Sequence, residues 1–240
     1  MPNSVPKKIS NQTLTKREAT KERIYNSAIS LFRKEGYEPA TMRRIAREAR
    51  VSLGLTYYHF KTKEEIVLHF YRESQIDVKQ LSTQFFKTTK DFKARLKFII
   101  LTQLESFSDY KIFLQVLARH AGDPSHSLSP FSPETILIRE EAVGIIRDAL
   151  ETSSLKIRDD LAVILPELLW MEQMGLVYFW LSDSSKSYIN TKLLMNDSLE
   201  LIFKLIKLSN FPLFKNVMGP IFRMFRLVKG NPIAKKIAKA

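Results

Sequence analysis

The sequence predicts an all-α chain in which a small helical domain is followed by a larger one. Three observations carry this. Apolar residues recur at intervals of three and four along most of the 240 residues. Thr-x-x-Glu capping signatures open two of the periodic stretches, at Thr15–Glu18 and Thr62–Glu65. No β-hairpin signal competes anywhere along the chain. The length is enough to bury a sizeable core and to hold two domains.

The first helix opens at the Thr15 capping box, carries Ile24, Ala28, Leu31 and Phe32 on one stripe, and ends at Gly36, a C-cap residue. Next, Ile45, Ala46 and Ala49 give a short helix one small apolar face. Val51-Ser52 turns the chain, and Ser52 is a good N-cap for a third helix through Tyr58. That helix is too short and too polar to be mainly core. Its first residues, Leu53, Gly54, Thr56 and Tyr57, stand where a recognition helix meets base edges and phosphates. Thr62 then opens a long helix through Ile66 and Phe70 to about Phe86.

The second domain reads as helices joined by polar breaks. One runs from Asp91 to about Ser108 with Phe92, Leu96, Ile99, Ile100, Gln103 and Phe107, and another from Asp109 to about Ala121 with Ile112, Phe113, Val116 and Leu117. A breaker-rich loop fills 122–130. Ser132-Pro133-Glu134 starts a helix to about Glu151, with Ile138, Val143, Ile146 and Leu150 inward. Leu161 to Leu181 is apolar enough to suggest a membrane span. Its Pro166, Glu167, Glu172 and Gln173 favour a buried helix instead, because carboxylates near mid-span cost several kcal/mol on the order of the Asp value. Pro166 either kinks that helix or starts a new one. A last helix from Asn190 to Leu208 carries Leu194, Leu201, Ile202, Leu205 and Ile206.

The domain limits so read are an arm at 1–15, a first domain at 16–77, a second at 78–210 and a basic tail at 211–240. In the tail, Phe214, Val217, Met218, Ile221, Phe222 and Phe225 recur at helical spacing while Lys215, Arg223, Arg226 and Lys229 lie largely off that stripe. Such a segment either lies on an anionic membrane or packs on the body; Gly219-Pro220 breaks or bends it.

The net charge of +13 is unevenly placed. Residues 1–63 hold fourteen Lys and Arg against five Asp and Glu; residues 211–240 hold seven and none, leaving 64–210 at −3. A basic head on a nearly neutral body suits a head that meets phosphates. The chain has no cysteine, which removes disulfide and thiolate–metal frameworks. The polar stretch from Met1 to Leu14 lacks the apolar core of a signal peptide. The four histidines, His59, His69, His120 and His126, form no metal-ligand spacing, and no clustered acid, base or nucleophile set marks an enzyme. No metal, cofactor or catalytic residue is expected.

Residues 17 to about 77 resemble the DNA-binding domain of the tetracycline-repressor (TetR) family of bacterial regulators. The resemblance is carried by Ile24, Ala28, Phe32, Gly36-Tyr37, Thr41, Ile45-Ala46, Val51-Ser52, Gly54, Tyr57, His59-Phe60 and Lys63-Glu64, all in register. Two positions depart: Arg50 stands where the family usually has Gly, and Leu55-Thr56 where it has Thr-Leu. The resemblance implies a three-helix helix-turn-helix domain (the motif at about 41–60) and a larger helical domain for ligand binding and dimerisation. It also implies a cytoplasmic homodimer on an inverted repeat of double-stranded DNA, most often a repressor, whose last two long helices form the dimer interface.

Under that reading Thr41, Tyr57, His59 and Lys63 meet phosphates. Arg43, Leu53, Gly54, Leu55 and Thr56 face base edges or thymine methyls, with Arg44 and Ser52 beside them. The family also implies a small-molecule pocket in the body. The chain offers Gln103, Phe107, Phe113, Trp170, Gln173, Met174 and Tyr178, with Glu172 and Trp180, to a small lipophilic effector; alternatively these side chains only fill the core. A rival class is a membrane-associated or protein-binding adaptor that uses the basic tail.

Overall fold

A computed structural model of the chain describes residues 15–123 and 125–209, with the backbone alone at His120. The arm before Thr15 and the tail at 211–240, with both readings of that tail, lie outside the described residues. The described residues form α1 (Lys16–Glu35), α2 (Met42–Glu48), α3 (Leu53–His59), α4 (Lys63–Phe86) and α5 (Phe92–Ser108). After these come α6 (Lys111–Ala121), α7 (Ile136–Glu151), α8 (Asp159–Ser182) and α9 (Ile189–Ser209). No strand occurs among the described residues. The chain divides into two compact units after Ile66, inside α4.

In the first unit, local chemistry sets each helix boundary. Thr15 accepts from Glu18 N at 3.2 Å while the Glu18 carboxylate accepts from Thr15 N at 2.8 Å, a complete capping box. The α1 stripe of Ile24, Ala28, Leu31 and Phe32 is buried, and the helix ends at Gly36 with φ 90°. Thr41 caps α2 by accepting from Arg44 N at 3.3 Å. α2 then closes in a Schellman turn: Arg50 N donates to Arg47 O at 3.1 Å and Val51 N to Ala46 O at 3.0 Å. That turn places Arg50 at φ 52°, the left-handed region glycine occupies without cost. Ser52 caps α3, accepting from Leu55 N at 3.1 Å. At α4, Thr62 accepts from Glu65 N at 3.2 Å, but the returning Glu65 carboxylate takes Lys61 N at 2.7 Å, one residue before the capping-box donor.

In the second unit, Arg95 is fully buried without a carboxylate partner among the described residues. It donates to Phe86 O (2.7 Å) at the end of α4 and to Ala149 O (2.9 Å) near the end of α7. Its other bonds go to Thr89 O (2.8 Å) and Thr152 Oγ1 (2.7 Å). A cation among helix C-terminal carbonyls satisfies both the charge and the orphan acceptors. Ser132 does not open α7 directly. A 3-10 turn at Pro133–Thr135 intervenes, and the Ser132 hydroxyl donates to Ser127 O at 2.9 Å instead of capping.

α8 runs uninterrupted through Pro166, so of the two readings for that proline a restarted helix is set aside. It is long and apolar enough to cross a membrane by length and composition, but it packs against α5, α6, α7 and α9 with Leu161, Ile164, Leu165, Leu169, Trp170 and Trp180 buried. The Asp183 carboxylate ties the following turn to α9, accepting from Ser185 N (2.9 Å), Thr191 N (2.9 Å) and Thr191 Oγ1 (2.6 Å). The Ser185 and Thr191 hydrogen bonds hold its pKa well below the usual carboxylate range.

Candidate nucleic-acid interface and body cavity

α3 is seven residues long, and Thr56 is its one buried residue. Its hydroxyl donates to Ser52 O at 3.1 Å, the i−4 bond that lets a polar side chain sit inside. This corrects the expectation for Thr56: fully buried, it faces the domain core and cannot reach a base. Gly54, Leu55, Tyr57 and Tyr58 are exposed, Tyr58 at 64%. Leu53 is partly exposed, and Arg43 on α2 is exposed.

Four further candidates are occupied inside the unit. The Lys63 ammonium donates to Tyr37 O at 2.9 Å and lies 4.2 Å from the Tyr37 ring centroid. It therefore braces α4 against the turn after α1 while remaining partly exposed. Arg44 is paired with Glu35 and donates to Pro39 O at 3.3 Å, so its charge is partly spent on α1. Ser52 uses its hydroxyl on the cap of α3, and Thr41 does the same for α2; both remain exposed.

Two cations of α1 join this face without having been singled out in the sequence. Arg17 lies 5.5 Å from the Tyr58 ring centroid and Lys21 5.5 Å from that of Phe60. Their i, i+4 spacing was the available signal. Burial, and then the charges of Arg17 and Lys21, push the His59 pKa below its ordinary value.

The second unit encloses a cavity with a void of about 100 Å³; the empty space its walls bound, open solvent included, is about 770 Å³. Gln103, Phe107, Trp170, Met174 and Tyr178 line it, together with Tyr71, Gln75, Leu114, Ile138, Arg139 and Val177. Phe113 and Gln173 do not. Phe113 is fully buried, its ring 5.9 Å from that of Phe70, so it belongs to the core. Gln173 is buried with Oε1 lacking a partner among the described residues.

Glu172 also stays outside the wall. It accepts from Ser198 on α9 at 2.7 Å, and burial raises its pKa. Trp180 packs against Tyr188 at 5.7 Å. Inside the cavity Gln75 donates to Gln103 Oε1 at 2.8 Å, and Gln103 donates to Ser74 at 2.8 Å. Burial raises the pKa of the Tyr71 and Tyr178 hydroxyls.

Comparison with known proteins gives both units a family. Residues 24–70 match the model for bacterial regulatory proteins of the tetR family, and residues 95–223 the tetracyclin repressor-like C-terminal domain. The HTH-type transcriptional regulator YerO of Bacillus subtilis, itself uncharacterised, is 36% identical over 101 residues, which is 40% of this chain and 34% of YerO. AcrR of Shigella flexneri is 30% identical over 95 residues, 38% of this chain and 44% of AcrR. These matches thus span less than half of either relative.

Among solved structures, FadR of Bacillus subtilis in complex with stearoyl-CoA is 18% identical and has a TM-score of 0.55, covering 75% of this chain and 96% of that one. FadR of Thermus thermophilus with lauroyl-CoA, also 18% identical, has a TM-score of 0.57 over 75% and 92%. At such identity these two speak for the fold. With the two family models matching in order along one chain, the protein belongs to the TetR family of bacterial regulators.

Proposed function

We propose that the chain is a sequence-specific DNA-binding transcriptional regulator, a cytoplasmic repressor that binds an inverted repeat as a homodimer and leaves it when a small lipophilic ligand binds. The observation that carries this is α3. A capped helix pinned by one buried threonine turns Gly54, Leu55 and Tyr57 outward, with Arg43 exposed on the preceding helix. A short helix exposing apolar and aromatic side chains beside cations suits a major groove, where Leu55 meets thymine methyls and Arg43 a guanine edge.

The homodimer is supported by α8 and α9. Leu194, Leu201, Leu205 and Leu208 form an exposed stripe on α9, opposite its buried Met195, Leu199 and Ile206. On α8, Gly175 and Phe179 are exposed four residues apart, on one face of the helix. Such apolar helix faces fit a two-fold four-helix interface, which sets two recognition helices roughly 34–36 Å apart. The effector is supported by the aromatic cavity, two of whose wall residues, Tyr71 and Gln75, sit on α4. Ligand binding there releases DNA by favouring a form with the wrong half-site spacing.

The test is selection of bound duplexes from a random pool at about 150 mM salt, which suppresses non-specific binding. The reading expects one inverted repeat; a pool left unenriched refutes it.

A further inference from the structure

The wall of the body cavity is apolar apart from two glutamines, two tyrosines, a threonine and one ion, Arg139. No Asp or Glu contributes to it among the described residues. Arg139 sits in the first turn of α7, partly buried, with Cζ 5.9 Å from the Trp170 ring centroid. It donates Nη1–H to Pro130 O at 2.8 Å. Its other donors have no hydrogen-bond partner among the described residues, and no carboxylate there lies within ion-pair distance. Burial lowers its pKa, and the charges of Glu140 and Glu167 act against that.

The other polar groups are spoken for or neutral. Gln75 and Gln103 bond to each other, and the two tyrosines stay protonated because burial opposes their ionisation. A partly desolvated guanidinium with unspent donors at the edge of an apolar space costs free energy that an anion offsets. Its planar fork fits a carboxylate better than any neutral head group.

We propose that the effector is an anionic lipophile, its head group held by Arg139 and its apolar part lying against Trp170 and Met174. This rests on the effector reading above and adds the sign of the ligand's charge. A cationic lipophile is excluded from the same site, since it would meet Arg139 with no carboxylate in the wall to offset the repulsion.

Three ten-carbon probes that differ in the head group alone test it: decanoate, 1-decanol and decyltrimethylammonium. Binding to the full chain is followed by tryptophan fluorescence and by the shift in melting temperature. Decanoate is expected to bind about tenfold more tightly than decanol, the worth of a charge-assisted hydrogen bond, and decyltrimethylammonium more weakly than either. Arg139→Gln is expected to bring decanoate down to the decanol level while leaving decanol binding intact, which shows the cavity still folded. Arg139→Lys keeps the charge without the fork and is expected to fall between. Equal binding of decanoate and decanol, or tighter binding of the ammonium probe, overturns the charge selection and leaves a lipophilic effector standing. Binding of none of the three overturns both.

Discussion

α3 and α8 are built for opposite ends, and the contrast explains what each half of the chain does. α3 has seven residues with one buried; α8 has twenty-four, eleven of them buried, including both tryptophans of the chain. A helix that buries so little is stable only through its caps and one anchor, so its exposed side chains are free to contact something else. A helix with a buried face along its length contributes core, and its function comes from what its neighbours enclose with it. Recognition in the first unit is therefore local in sequence, whereas the cavity draws on α4, α5, α6, α7 and α8 together.

The largest expected effect breaks the body's side of this comparison. Leu201→Glu with Leu205→Glu places two carboxylates on the apolar stripe of α9. The protein should sediment as a folded monomer and lose on the order of a hundredfold or more in affinity for an inverted repeat, because two half-sites no longer bind as one. An unchanged dimer would remove α9 from the interface.

Next comes Arg43→Ala, expected to cost ~1–3 kcal/mol on the operator and to relax preference at one base pair. Anisotropy titrations that show equal losses on operator and random duplex would return Arg43 to the phosphates.

Arg50→Gly sharpens the comparison from the stability side. Arg50 closes the α2 Schellman turn at φ 52°, and a non-glycine residue there costs roughly 1–2 kcal/mol. The glycine variant should therefore raise the denaturation midpoint by about 1 kcal/mol equivalent, the larger unfolded entropy of glycine offsetting part of the gain. A lower midpoint would show that the Arg50 side chain makes a compensating contact.

The smallest effect concerns His59, whose pKa in the free protein is lowered by burial, Arg17 and Lys21. A phosphate beside it would raise the pKa again, so the complex takes up a proton. Affinity should then grow as pH falls through the pKa of the complex, and level off below that of the free protein. The gain is bounded at about tenfold per unit of difference. His59→Gln should flatten the profile; a profile that stays steep in the variant assigns the proton elsewhere.

The sequence made the first unit legible because its signals act over three or four residues. Thr15, Gly36, Thr41 and Ser52 each sit at the boundary they set. The reading failed at Thr56, where a polar residue type suggested an exposed position. A hydroxyl that returns its hydrogen bond to the i−4 carbonyl can be buried, and composition does not reveal that bond.

In the body, Gln103, Phe107, Trp170, Met174 and Tyr178 were legible as aromatic and polar residues on apolar helices, whereas Phe113 and Gln173, equally suited by type, point elsewhere. Arg139 was missed, although a signal existed. Thr135, Ile138, Arg139 and Ala142 follow the spacing of one helical face, and a cation on such a face needs an explanation.

The central claim, that the exposed face of α3 with Arg43 reads sequence while the body only spaces two copies of it, is tested most directly by selecting duplexes with the wild type and Arg43→Ala in parallel. The account predicts the same inverted repeat and the same spacing from both, with one base pair per half-site relaxed in the variant. Identical half-sites from the two proteins, or a changed spacing in the variant, would contradict it.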